Sequence, residues 1–165
     1  MKFSAREDIS GPIERVFDAL CDFEAFERLA MRRGAELQRV DPLTRPGVGM
    51  KWRVTYTMRG RKREFDLELV EFDRPDQMVF DARSSGIDAR FTVDLLALSR
   101  NRTRMSVALD LTPLNLSARL LIQSLKLAKS NLSKRFKDRV SEYGKGLGGA
   151  AATHRLTAWP PNGTV

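Results

Sequence analysis

One cysteine and one histidine occur in the 165 residues. A lone thiol, Cys21, cannot form a disulfide within the chain, and a lone imidazole, His154, excludes His-rich metal sites and argues against a protease-type triad. No run approaches the roughly 18 apolar residues of a membrane span. The N-terminal stretch Met1-Lys2-Phe3-Ser4-Ala5-Arg6-Glu7-Asp8 is charged where a secretory leader would be apolar. A cytoplasmic protein is therefore expected, and the sequons at Asn101, Asn115, Asn131 and Asn162 carry no weight without a secretory route.

What is present suits one domain: 42% of the residues are apolar and 30% charged. A core of this length buries roughly 70% of the surface of the unfolded chain, so neither disulfide nor structural metal is required. The net charge of +8 is unevenly placed. Residues 1–116 hold 20 Lys and Arg against 19 Asp and Glu, whereas residues 117–165 hold 9 against 2. A near-neutral body disfavours nucleic acid as a partner and leaves the basic last third as a solvated face or a surface for an anionic membrane or protein.

The periodicity changes along the chain. From Phe3 to Ile9 apolar and polar residues nearly alternate, with Glu7 on the apolar parity, and Ser10-Gly11-Pro12 stops the strand. Ile13, Val16, Phe17 and Leu20 then mark one helical face, with Pro12 in its first turn. Asp22 is a cap for a second short helix carrying Phe23, Phe26, Leu29 and Ala30, which Gly34 ends. Met50, Trp52, Val54, Tyr56 and Met58 alternate with Lys51, Arg53, Thr55 and Thr57, and Phe65, Leu67 and Leu69 alternate with Glu64, Asp66 and Glu68. A two-residue turn at Gly60-Arg61 would join them as a hairpin, setting Tyr56 opposite Phe65, Val54 opposite Leu67, Trp52 opposite Leu69 and Arg53 against Glu68.

Three more strands are expected, over Met78–Arg83, Ile87 to about Leu98, and Arg104–Thr112, with a bulge near Leu95-Leu96 where the apolar parity changes. Ser117 then caps one long helix whose apolar positions are Leu121, Leu125, Ala128, Leu132, Phe136, Val140, Tyr143 and Leu147. Gly144, Gly146, Gly148 and Gly149 fray its end, and 148–165 reads as a flexible tail after a single domain over 2–147. A meandering antiparallel sheet of about six or seven strands must bury one face, and the long helix is the only large element that can lie across it.

This α+β order, opened by Ile9-Ser10-Gly11-Pro12-Ile13-Glu14-Arg15-Val16-Phe17-Asp18-Ala19-Leu20-Cys21-Asp22-Phe23, resembles the START-like helix-grip superfamily, also called SRPBCC. It looks most like the bacterial polyketide cyclase/dehydrase-type branch. The resemblance covers residues 2–147 as architecture, and it implies a cavity between curved sheet and long helix, used by most members to hold an apolar small molecule and by some to catalyse. The inward residues would line it: Trp52, Val54, Tyr56, Phe65, Leu67, Phe80, Phe91, Val93, Met105, Val107, Leu109, Leu125, Ala128 and Leu132. The same residues could equally fill a closed core.

Candidate chemistry is sparse. Tyr56 is the clearest inward polar group and the one catalytic candidate, as an oxyanion donor. Glu7, Arg135 and Arg139 form a candidate polar edge, the arginines near the helix C-terminus aimed either at solvent, at Glu7 or at an anionic ligand head. Arg59, Arg61, Lys62 and Arg63 cluster at a hairpin tip, Gly47-Val48-Gly49 has no helix behind it, and Cys21 reads as a buried filler. Neither metal nor cofactor is implied, and nothing sets the oligomeric state. The sequence reads as a binder or carrier of a lipid, quinone or polyketide-like molecule more than as an enzyme. The alternatives are a cyclase/dehydrase-like enzyme and an interaction module whose stripe of Arg119, Lys126 and Lys137 docks on an anionic surface.

Overall fold

Strand β1 (Lys2–Ser10) starts the chain, and helices α1 (Ile13–Leu20) and α2 (Phe23–Arg32) follow it in the computed structural model, which describes residues 1–58 and 60–153, the side chains of 151–153 excepted. Pro12, extended at φ −64° and ψ 146°, is the N-cap of α1 rather than its first helical residue, and Asp22 caps α2 by accepting the backbone N–H of Ala25 at 3.1 Å. Six further strands then run antiparallel: β2 (Ala35–Arg39), β3 (Lys51–Met58), β4 (Arg61–Asp73), β5 (Gln77–Arg83), β6 (Ile87–Ser99) and β7 (Arg102–Pro113). They form one seven-stranded sheet in the order β1-β7-β6-β5-β4-β3-β2, so the first strand closes against the last. Helices α3 (Leu116–Leu127) and α4 (Lys129–Thr153) complete the helix-grip arrangement.

Several local expectations are corrected. The β3–β4 hairpin pairs Val54 with Phe65, Trp52 with Leu67, Tyr56 with Arg63 and Arg53 with Asp66, two residues from the expected register. The chain therefore reverses between Met58 and Arg61, with Gly60 at φ +75°, and Arg59 lies outside the described residues. In β6 the register runs unbroken through Leu95, Leu96 and Ala97 and shifts only between Ala97 and Ser99. Leu96 and Leu98 consequently point to water instead of returning to the core. A bulge that the pattern did not signal sits between Leu69 and Glu71 of β4, and β2 is a strand the pattern left unread.

The single long helix is in fact two. Asn115, not Ser117, is the N-cap of α3, accepting the backbone N–H of Ala118 at 2.8 Å. Ala128 ends α3, its N–H bonded to Leu125 and Lys126, and its own carbonyl accepts the N–H of Leu132 in α4. Arg119 and Lys126 therefore belong to α3 and Lys137 to α4. Helix α4 continues through all four glycines to Thr153, so residues 148–153 of the expected tail are helical. The rest of that tail, His154 included, lies outside the described residues.

The core shows why a cavity forms. Helix α4 packs on β1 and α1, while α2 packs on β2 at the opposite edge of the sheet. Phe3 of β1 meets Phe136 of α4 with ring centres 6.0 Å apart. Seven strands at ~4.8 Å span roughly 29 Å, whereas one helix is about 10 Å across. A helix laid along one edge and a short one along the other leave the middle strands uncovered. The wet face carries cross-strand ion pairs such as Arg53–Asp66 at 3.5 Å and Arg90–Asp81 at 2.8 Å, each worth at most about 1 kcal/mol.

Candidate functional site

The gap between the helices and the middle strands is a cavity of about 950 Å³. Its wall on the sheet side is Trp52 and Val54 of β3, Phe65 and Leu67 of β4, Phe80 of β5, Phe91 and Val93 of β6, and Met105, Val107 and Leu109 of β7. Alternation explains this wall: each strand puts every second residue on the concave face, and those residues are apolar. The helices supply the remainder, Phe23, Phe26 and Leu29 from α2 and Phe136, Val140, Tyr143 and Leu147 from α4. The helical residues were legible as apolar faces at spacings of three and four, but that periodicity says only that a face is covered, not that it borders a void. Ala35 and Leu37 also line the cavity, from the unread strand β2.

Of the residues expected at the cavity, Tyr56, Leu125, Ala128 and Leu132 do not line it. Tyr56 stands near the hairpin end with its ring 5.8 Å from that of Phe65, half-buried beside the cavity's outermost strand residue. Leu125 lies in the last turn of α3 and Ala128 at its C-cap, and Leu132 lies in the first turn of α4, before the residues that reach the wall. The expected polar edge also divides. Arg139 lines the cavity, whereas Glu7 and Arg135 do not.

Glu7 sits beneath α4 where a glycine admits it. A Cβ on Gly144 would stand 2.6 Å from Cγ of Glu7. Glu7 makes no ion pair with Arg139 among the described residues.

The exposed lining residues place the mouth between α2 and α4: Asp22, Phe26, Arg32, Arg33, Arg139, Glu142 and Gly146. Across it Arg33, the C-cap of α2, pairs with Glu142 of α4 at 3.3 Å. Arg32, Arg139 and Asp22 have no ion-pair partner among the described residues, so the rim carries two arginines and one carboxylate outside any salt bridge. The interior holds little that is polar. The indole N–H of Trp52 is spent on Glu27, donating at 2.9 Å and tying α2 to β3.

Tyr143 is different. Burial first, then the nearby Asp22 and Cys21, push its phenol up to about 12, so it stays a neutral donor, and its hydroxyl has no hydrogen-bond partner among the described residues. This tyrosine, not Tyr56, is the cavity's hydroxyl. Burial pushes the Cys21 thiol up to about 12 despite Arg74 nearby, which favours its protonated form. Among the described residues no group of His, Cys, Asp and Glu is placed to hold a metal. A second, shallower depression of about 300 Å³ lies on the wet face among Asp81, Arg83, Asp88 and Arg90, where Asp81 and Arg90 already satisfy each other.

No family profile matches the chain, and no curated protein matches it. Solved structures do. TTHA0849 from Thermus thermophilus is 19% identical, with 94% of this chain and 100% of that one covered at a TM-score of 0.66. Norcoclaurine synthase from Thalictrum flavum in complex with dopamine and hydroxybenzaldehyde is 8% identical, covering 95% and 89% at 0.63. Zhui aromatase/cyclase from Streptomyces sp. R1128 is 10% identical, covering 96% and 98% at 0.62. At these identities the shared property is the fold: the chain has the helix-grip architecture of an aromatase/cyclase and of norcoclaurine synthase.

Proposed function

We propose that the protein binds or carries an apolar small molecule, such as a lipid, quinone or polyketide-like compound, in the cavity between the sheet and α4. The observation that carries this reading is the cavity itself, about 950 Å³ walled almost wholly by apolar side chains, at the upper end of the roughly 300–1,000 Å³ usual for small-molecule sites. Apolar wall area that solvent reaches through the mouth gains roughly 25 cal/mol per Å² when an apolar ligand covers it. The ligand's polar end would face the mouth, where Arg32 and Arg139 favour an acidic head. Membership of the polyketide cyclase/dehydrase-type branch is consistent with the fold likeness and belongs to this proposal.

The test is uptake of a fluorescent long-chain fatty acid or quinone analogue by Val54→Trp and Val107→Trp, both of which place an indole in the cavity. Uptake is expected to fall sharply while circular dichroism stays unchanged. Overpacking costs about 1–3 kcal/mol, so melting is followed alongside. Unchanged uptake in both variants would remove the cavity as the site.

A second reading, a cyclase-like enzyme, draws on one feature, the unpartnered Tyr143 hydroxyl on the cavity wall near Asp22. If that phenol stabilises developing charge, Tyr143→Phe lowers turnover of a polyketide-type substrate by about 100-fold.

A further inference from the structure

Helix α3 is apolar on two opposite sides, and the protein covers one of them. Ala118 and Ile122 are buried, in a helix that touches β7 and α4. At ~100° per residue, Leu116, Leu120 and Leu127 fall within ~40° of one another and roughly opposite the buried pair. They are 72%, 56% and 92% exposed. Single exposed leucines are ordinary, but a row of them along one helix edge is a patch that calls for a partner. The charge beside it is of one sign. No acidic residue occurs between Asp110 and Asp138. Arg119 and Lys126 stand ~60–80° to one side of the leucine row, both exposed and neither ion-paired among the described residues.

We infer that this edge of α3 docks on an anionic lipid bilayer, its leucines entering the headgroup–acyl boundary while Arg119 and Lys126 meet lipid phosphates and carboxylates. The 12 residues of α3 are a length that lies in the interface. At about 1.5 Å per residue they reach only ~18 Å, too short to cross. No helix among the described residues is long and apolar enough to span a membrane. A second copy of the chain fits less well, because pairing two such edges would bring two cationic, acid-free strips together. The edge is also the outer side of a surface helix, a ridge suited to a fluid plane more than to a groove-filling peptide.

The test is sedimentation of the full chain with vesicles of phosphatidylcholine alone or containing about one third phosphatidylserine. The protein is expected to pellet with the anionic vesicles at low salt and to be released as salt shortens the Debye length from ~10 Å at 0.1 M. Replacing Leu116, Leu120 and Leu127 together by Ser should weaken this binding about tenfold or more. Arg119→Gln and Lys126→Gln should each cost about fivefold. Both sets are expected to keep the melting temperature and the uptake of the cavity probe, which separates this surface from the cavity reading. The inference is overturned by no binding to anionic vesicles at low salt, by equal binding to both vesicle types, or by binding that survives loss of the leucines. A lipid-free dimer abolished by the leucine variant would also overturn it, assigning the edge to a second copy.

Discussion

Gly144 and Gly146 lie two residues apart in the same helix, yet alanine at the two positions should act in opposite directions. In a helix interior the change from Gly to Ala gains about 0.8–1.0 kcal/mol from backbone entropy and helix propensity. At Gly146 nothing lies within 4 Å of the added methyl, so that gain should appear undiminished. At Gly144 the new Cβ would meet Cγ of Glu7 at 2.6 Å and Cβ of Glu7 at 3.3 Å. Carbon atoms settle at about 3.5–4.0 Å, so either the Glu7 side chain rotates away or α4 lifts from β1. Such overpacking costs about 1–3 kcal/mol.

The propensity gain is common to both variants, so the gap between them isolates the steric cost, about 1–3 kcal/mol. For a chain of this size each kcal/mol moves the midpoint by about 2–4 °C. Gly146→Ala should melt above the parent and Gly144→Ala at or below it in differential scanning calorimetry. In a Glu7→Ala background, which removes the 2.6 Å contact and keeps the 3.3 Å one, the Gly144→Ala change should cost less than in the parent, a coupling that a double-mutant cycle reads directly. Equal midpoints for the two single variants would refute the contact between Glu7 and α4.

Tyr143→Phe should weaken binding of a probe with a polar acceptor by up to about tenfold, the ~0.5–1.5 kcal/mol of one hydrogen bond, and leave a hydrocarbon probe unaffected by fluorescence titration. Asp41 accepts from the Arg39 guanidinium at 2.8 and 2.7 Å and from the N–H groups of Leu43 and Lys51, and Arg39 foremost holds its carboxyl well below the usual carboxylate range. Its contribution is thus complete above the unfolded pKa of about 3.9 and lost as pH falls through the depressed folded value. Asp41→Asn should cost about 1–3 kcal/mol at pH ~7 in urea unfolding, with the gap to the parent narrowing only in strong acid. Cys21 should resist a soluble maleimide at mildly alkaline pH until the chain is unfolded, because burial pushes its thiol up to about 12.

The β3–β4 hairpin shows what a sequence pattern can and cannot fix. Alternation has a period of two, so it settles which side of each strand is buried, and Trp52, Val54, Phe65 and Leu67 do face the cavity. A register moved by two residues keeps every face the same. Charge matching carries the same ambiguity, because Arg53 finds a carboxylate whether it stands opposite Glu68 or, as it does, Asp66. Only the turn decides, and Gly60 can serve at either of its central positions.

The break at Ala128 was hidden for a related reason. Ala118 and Ile122 before it and Phe136, Val140, Tyr143 and Leu147 after it fall on one side of a continuous wheel, within ~60°. No Gly or Pro marks the interruption, which tertiary packing imposes on good helix formers. The cavity's wall was readable residue by residue, but its emptiness depends on the mismatch between sheet width and helix width, a property of no single segment. Tyr143 was visible as one position of an apolar helical face and stayed unremarked because its polar end matters only once that face borders a void.

The pairing of β1 with β7 sets an order of events during synthesis. Lys2 is bonded opposite Asp110 and Ser10 opposite Arg102, so the first strand to leave the ribosome has its partner made last among the strands. Until then β1 offers two open edges, while β2 through β7 can zip up one hairpin after another. Contacts of such long sequence separation close slowly, because the loop entropy is lost before they reward it. Helix α4 rests on β1 and comes later still, so the binding chamber lacks its α4 side until residues 129–153 have been made. A ribosome-bound fragment ending before β7 should therefore expose the apolar faces of its strands to chaperones.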